Sequence, residues 1–113
     1  MALDTVADYV SEARVLLQDQ VVPYRYADNE LVTGLNLAFL EGRRLRPDLF
    51  IVNAIPSFTD ADSTTVKLDE QYRVAFLYYV CGNAQMRDEE NTQDARSADF
   101  MQKFTAKLLS LAA

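Results

Sequence analysis

At 113 residues, half of them hydrophobic, the chain is long enough for one buried core, too short for two, and too apolar to stay disordered. A formal net charge of -6, with basic residues scattered apart from Arg43, Arg44 and Arg46, makes repulsion from a nucleic-acid backbone the default. One cysteine excludes an internal disulfide, and the absence of histidine removes the commonest metal ligand and the usual general base near neutral pH, so neither a cofactor, a metal nor an enzymatic activity is expected. No apolar run approaches the roughly 20 residues that span a bilayer, and the N-terminus MALDTVADYV is acidic and amphipathic rather than a signal peptide. The expectation is a soluble intracellular product with no membrane partner.

The first predicted helix covers residues 4 to 18. Asp4 or Thr5 can cap it, and Val6, Tyr9, Val10, Ala13, Leu16 and Leu17 form an apolar stripe at i, i+3, i+4, i+7 spacing. From Asp19 to Ala27 the pattern lapses. Val21, Val22, Pro23, Tyr24 and Tyr26 suit an extended connector whose aromatic side chains pin it to the body.

The second predicted helix runs from Asp28 to Pro47. Asp28 or Asn29 can cap its free amides, Glu30 suits the positive N-terminal end, and Arg43, Arg44 and Arg46 suit the negative C-terminal end. Pro47 disfavours helical geometry at Arg46 and ends the helix. Leu31, Leu35, Ala38, Gly42 and Leu45, widened by Val32 and Phe39, make the core stripe. Leu37 and Leu40 fall opposite it, beside Thr33, Asn36 and Arg44, where a lone subunit would be polar. Together they point to a subunit contact, with burial beneath the following loop as the alternative.

That loop, residues 49 to 68, is far longer than the common ~4–6-residue connection. Its first half holds Leu49, Phe50, Ile51, Val52, Ile55 and Phe58, and Ser57 to Thr65 is polar and acidic. The apolar half and a short run from Thr64 to Lys67 could pair as a hairpin, which is marginal in water unless it lies on a surface, its own core or a neighbour's. Phe50, Ile51, Ile55 and Phe58 are therefore candidate contacts to an adjacent subunit.

The third predicted helix, Asp69 to Met86, is apolar nearly all round. Tyr72, Phe76, Tyr79, Val80 and Met86 mark one side, and Val74, Leu77, Tyr78, Cys81 and Ala84 the other. Such a helix must be covered everywhere, by a core larger than this chain can build or by an assembly. A fourth helix begins at Asn91 and runs to Leu111, or to 112 at its widest. Its first half, NTQDARSAD, is polar all round and free to project, and its second half stripes Phe100, Met101, Phe104, Leu108 and Leu111. All three glycines, Gly34, Gly42 and Gly82, fall within predicted helices, where each costs roughly 1 kcal/mol relative to alanine, so close helix approach is the expected compensation.

Two motifs resemble chemistry and fail on their context. Asp60, Asp62 and Thr64 have the spacing of a phosphoryl-transfer Asp-x-Asp-x-Thr loop, but the preceding strand, the distant lysine and the α/β pattern are missing. Read as a calcium loop, the same run puts Thr65 where glycine belongs and Gln71 where the bidentate glutamate belongs. Cys81 sits mid-helix among apolar residues with no base to activate it, as a small core side chain would. Arg43, Arg44 and Arg46 serve either as C-terminal helix charges or as partners for carboxylates of a neighbour, with Glu41 and Asp48 as local competitors.

The layout of an amphipathic N-terminal helix, YADNELVTGLNLAFLEGRRLRPDLF, a long loop and a helix opening at DEQYRVAFLYYVCGNAQ resembles the small head-to-tail adaptor proteins of tailed bacteriophages. The most specific stretch is Tyr26 to Phe50, where Tyr-x-Asp-x-Glu-Leu precedes a helix ending Arg-Leu-Arg-Pro-Asp. The resemblance implies an all-α fold of about four helices in a single domain over 1–113. It further implies a homo-oligomeric ring, usually a dodecamer, placed in the virion at the head-tail junction after synthesis in the host cytoplasm. Its partners would be other copies of itself, the portal protein, and a downstream tail or nozzle protein, with DNA only as passing cargo. No set of functional side chains carries over from the family. The interface residues inferred here, from the residues themselves, are Leu37, Leu40, Arg43, Arg44, Arg46, Phe50, Ile51, Ile55, Phe58, Phe100, Phe104 and Leu108. A small helical regulatory module that binds another protein through the same apolar faces is the alternative.

Overall fold

In the computed structural model, the described residues are 3–50, 57–60, 62–66, 68, 70–86 and 94–110. Among them the chain forms four α-helices: α1 (Val6–Leu17), α2 (Asp28–Leu45), α3 (Glu70–Met86) and α4 (Asp94–Ser110), with a 3-10 turn over Pro47–Phe50. The all-α class and the order of elements agree with the sequence periodicities. The radius of gyration, 13.4 Å, is close to the ~13 Å of a compact body of this length.

Helix α1 begins at Thr5, whose hydroxyl accepts from the Asp8 amide (3.2 Å). The Asp8 carboxylate returns the arrangement by accepting from the amides of Asp4 (3.0 Å) and Thr5 (3.1 Å). These backbone amides hold the Asp8 carboxyl below the usual carboxylate range. At α2 the expected cap is not used. Ala27 occupies the cap position without a side-chain bond, because the Asp28 carboxylate turns instead to Arg14 on α1.

Helix α3 is the hub, packing against α1, α2 and α4, whereas α1 and α4 do not touch each other among the described residues. This corrects most of the expectation that its all-round apolar surface exceeds what one chain can cover: three helices of the same chain bury the greater part of it, while Val74 and Met86 stay exposed. Phe76 meets Phe39 of α2 at 4.9 Å and Phe104 of α4 at 5.8 Å between ring centroids, while Cys81 faces the Ala13 carbonyl of α1. Two glycines lie at these helix contacts, and at Gly82 the approach is tighter than an added Cβ ordinarily allows. A Cβ at Gly34 would sit 3.5 Å from the Val80 Cα, and one at Gly82 would meet the Phe100 Cβ at 3.1 Å.

Of the expected hairpin, the apolar arm lies largely outside the described residues, and the run from Thr64 has a neighbour elsewhere. Thr65 forms an isolated antiparallel bridge with Thr5, supported by Val66 N donating to Asp4 O (2.8 Å) and Val6 N to Thr64 O (3.1 Å). The end of the long loop therefore pairs with the N-terminal lead into α1. Val66 is buried there, and Arg73 of α3 binds both the Asp4 carboxylate (2.6 Å) and the Leu68 carbonyl (2.9 Å). Val52 and the candidate contacts Ile51 and Ile55 lie outside the described residues.

Candidate interaction surfaces

The residues singled out by sequence divide into three groups. Phe58, Phe100, Phe104 and Leu108 are buried in the chain's own core, so their assignment to an exposed subunit or portal contact is corrected. Phe104 packs edge-on against Tyr79 (4.9 Å), and Leu108 is fully enclosed. Phe58 lies against Phe39 at 6.0 Å. Asn36 holds it in place: its Nδ2 donates to the Phe58 carbonyl and its Oδ1 accepts from the Phe58 amide, both at 2.8 Å. A two-sided amide clamp satisfies a backbone segment that has no strand partner and fixes the loop on the body.

Leu37, Leu40 and Arg43 form the second group, spaced i, i+3, i+6 along α2. Leu40 is 54% exposed even with the loop clamped one turn away, Leu37 is half-buried, and Arg43 is exposed without an ion pair among the described residues. Single exposed leucines carry no meaning. Here an apolar step is followed by a cation on the same outward row.

Arg44 and Arg46 form the third group, and both are taken by the local competitors. Arg44 pairs with Glu41 on the same helix, an exposed interaction of small energetic weight. Arg46 does more. It grips Asp48 through two parallel bonds of 3.0 and 2.9 Å, and its remaining Nη1 donates to the Leu108 carbonyl (2.8 Å) in the last turn of α4. A guanidinium on a helix C-terminal carbonyl satisfies an orphan acceptor and complements the helix dipole. The Asp48 carboxyl is held below the usual range by that grip. Arg46 is thus a structural tie between α2 and α4. Phe50 closes the 3-10 turn, and its side chain lies outside those described.

The sequence reading overlooked a fourth surface. In the connector between α1 and α2, Val21 is 81% and Val22 72% exposed, with Tyr24 beside them at 46%. The connector is built on a buried ion pair. The Asp19 carboxylate accepts from Arg14 Nη1 (2.9 Å), the Arg25 amide (2.7 Å) and the Tyr26 amide (3.0 Å). Arg14 also donates to the Tyr26 carbonyl (2.9 Å), pairs with Asp28, and lies 3.8 Å over the Tyr24 ring. Arg14 and Asp19 are both about 7% exposed at their side chains, so neither charge is left to solvent. A signal was present in the sequence: Arg14 falls within the α1 apolar stripe, four residues after Val10 and three before Leu17, where only a paired charge can be tolerated.

Asp60, Asp62 and Thr64 are all exposed. Thr64, through its side chain and then its amide (2.9 Å), keeps the Asp62 carboxyl below the usual range, and the Asp62 carbonyl accepts from the Ala7 amide. Among the described residues no three metal-capable side chains gather at one point, and no helix is long and apolar enough to cross a membrane. Comparison with known protein families, curated proteins and solved structures finds no match to this chain.

Proposed function

We propose that the chain is the subunit of a ring that joins a phage portal to its tail and continues the DNA channel, acting mechanically rather than catalytically. The observation that carries this reading is the row Leu37, Leu40 and Arg43 on α2, in which Leu40 and Arg43 stay exposed and Leu37 half-buried although Phe58 is clamped to the same helix at Asn36. Apolar surface that persists beside a fully formed core is available to another chain. The resemblance of Tyr26–Phe50 to head-to-tail adaptors supports the same reading. So does the net charge of -6, since a carboxylate-rich subunit gives passing DNA little to adhere to. A ring subunit needs two different side surfaces, because head-to-tail contacts are heterologous.

The test mixes the purified chain with the portal ring encoded in the same genome and reads added mass by native mass spectrometry. The expected result is a fixed number of added copies, lost in Leu37→Asp/Leu40→Asp while far-ultraviolet circular dichroism stays unchanged. A portal that takes up no copies of the wild-type chain refutes the reading.

A further inference from the structure

We propose that Asn36 and Phe39 of α2 form a peptide-binding site that the chain's own Phe58 occupies as an internal ligand, and that an extended segment of another protein with an aromatic anchor replaces it. Asn36 donates from Nδ2 to the Phe58 carbonyl and accepts at Oδ1 from the Phe58 amide, both at 2.8 Å. One primary amide thus supplies the donor and the acceptor that a neighbouring strand would offer. The Phe58 ring lies edge-on to Phe39 at 6.0 Å, and Phe39 is itself braced edge-on by Phe76 at 4.9 Å. Main-chain bonds indifferent to sequence, joined to one apolar seat that reads a side chain, are the two parts of extended-peptide recognition. Both parts stand in the middle of a helix and are pre-organised before any peptide arrives.

The internal occupant is held by a single residue. Ser57, Thr59 and Asp60 around Phe58 are exposed. The next ties, from the Ala7 amide to the Asp62 carbonyl and across the Thr5–Thr65 bridge, belong to the lead into α1 and do not involve Phe58. Phe58 can therefore leave Asn36 without undoing them. It is also an incomplete occupant. Leu40 and Arg43 continue from Asn36 along the same side of α2, roughly 6 and 10 Å further by helical rise, and both stay exposed with Phe58 in its seat. Neither Thr59 nor Asp60 offers Leu40 an apolar surface. In an extended chain the residue two beyond the aromatic returns to the same side roughly 6.6 Å on, so an apolar residue there covers Leu40. A carboxylate after it meets Arg43, which has no ion pair among the described residues. The partner segment is therefore aromatic, then apolar two residues later, then acidic. The site adjoins the row used by the ring reading and is tested without a portal, so either can fail alone.

The test titrates the peptide acetyl-Ser-Phe-Thr-Leu-Glu-amide into the full chain by calorimetry, with nitrogen-15 spectra reporting the Asn36 side-chain amide. In the wild type the internal Phe58 competes at an effective concentration on the order of millimolar. Phe58→Ala removes the ring that holds it, so this variant should bind the peptide about tenfold or more tighter than wild type, with the Asn36 resonance shifting. Alanine in place of the peptide's phenylalanine, or Asn36→Ala added to Phe58→Ala, should weaken that binding by about tenfold or more. Equal affinity for wild type and Phe58→Ala overturns the proposal, as does no binding to a Phe58→Ala chain whose circular dichroism is unchanged. Where Phe58→Ala fails to fold, Phe58→Leu keeps an apolar side chain, loses the ring and carries the same titration with the same two outcomes. Hydrogen exchange in the wild type is an independent check. A Phe58 amide that exchanges only by global unfolding, at the rate of the α3 amides, shows an occupant that never leaves by itself and overturns the proposal too. A portal that takes up no chain removes the ring reading and leaves this site standing.

Discussion

The two helix-packing glycines predict opposite responses to the same substitution. Neither Gly34 nor Gly82 has a positive φ, so alanine fits the backbone at both sites and recovers roughly 0.5–1 kcal/mol of helix preference. At Gly34 the new methyl would meet Asn83 Nδ2 at 3.4 Å and Val80 atoms at 3.5 and 3.6 Å, which is ordinary contact. Gly34→Ala should therefore stabilise by about 0.5–1 kcal/mol. At Gly82 the methyl would meet the Met101 Cε and the Phe100 Cβ, both at 3.1 Å, and the Met101 Cγ at 3.3 Å. The methionine end can swing aside, but the Phe100 Cβ is fixed to the α4 backbone, so the helix itself must shift. Overpacking of this kind costs about 1–3 kcal/mol, which outweighs the preference gained. The two variants should differ by at least about 1 kcal/mol, or several degrees in Tm for a domain near this size. Urea titration followed by circular dichroism at matched slopes reads the difference directly. If Gly82→Ala proves as stable as Gly34→Ala, the α3–α4 spacing described here is wrong.

Other expectations follow from the polar ties. Asp19→Ala strips the carboxylate from a buried guanidinium and should cost about 3–5 kcal/mol in urea unfolding, with faster tryptic cutting after Arg25 as the connector loosens. Asn36→Ala leaves the Phe58 amide and carbonyl without their clamp and should cost about 1–3 kcal/mol. Hydrogen exchange at the Phe58 amide should rise in that variant well before the exchange in α3 changes. Asp8, held by backbone amides, titrates in the folded state below the ordinary value of 3.8. A depressed acid contributes stability above its unfolded value and loses it as pH falls through the folded one. The deficit of Asp8→Asn relative to wild type, read by thermal melts, should therefore be full at neutral pH and vanish on acidification below about 3.8.

Helices α1 and α2 were legible because each carries a long, consistent period, whereas α3, apolar nearly all round, was legible from its length and polar flanks. The α1 stripe and the Asp28-to-Pro47 pattern place their elements within a few residues of Val6–Leu17 and Asp28–Leu45. What could not be read was which surface covers which. An all-round apolar α3 looks the same in sequence whether sister helices or sister subunits enclose it. The α4 stripe of Phe100, Phe104 and Leu108 likewise says that a face is buried but not against what. The neighbour of the loop's end was not legible for a different reason. The pairing of Thr65 with Thr5 joins residues 60 positions apart, and the turn chemistry at Asp62 marks a bend without naming its partner. The Arg14 network needed six residues from three segments to be seen as one unit, although its anomalous position in the stripe was visible.

Once Phe58, Phe100, Phe104 and Leu108 are assigned to the core, less apolar surface is left for partners than the sequence pattern suggests, and this bears on how an assembly would form. A stable pair buries about 800 Å² per partner, so a ring subunit with two such sides would commit roughly a quarter of the 6563 Å² surface. The exposed apolar side chains on α2, at the connector tip and along α4 supply only isolated centres of that area, and the remainder must come from polar rims. Contacts of this kind are weak one at a time and add up only when the ring closes or a template gathers the copies. On the proposed reading the free chain should therefore sediment as a monomer at micromolar concentration and assemble only on a portal. Leu40→Asp should then abolish loading without altering the melting temperature, because a side chain already 54% exposed contributes little to the fold. A large loss of melting temperature in that variant would place Leu40 in the monomer's own packing and remove α2 from the interface.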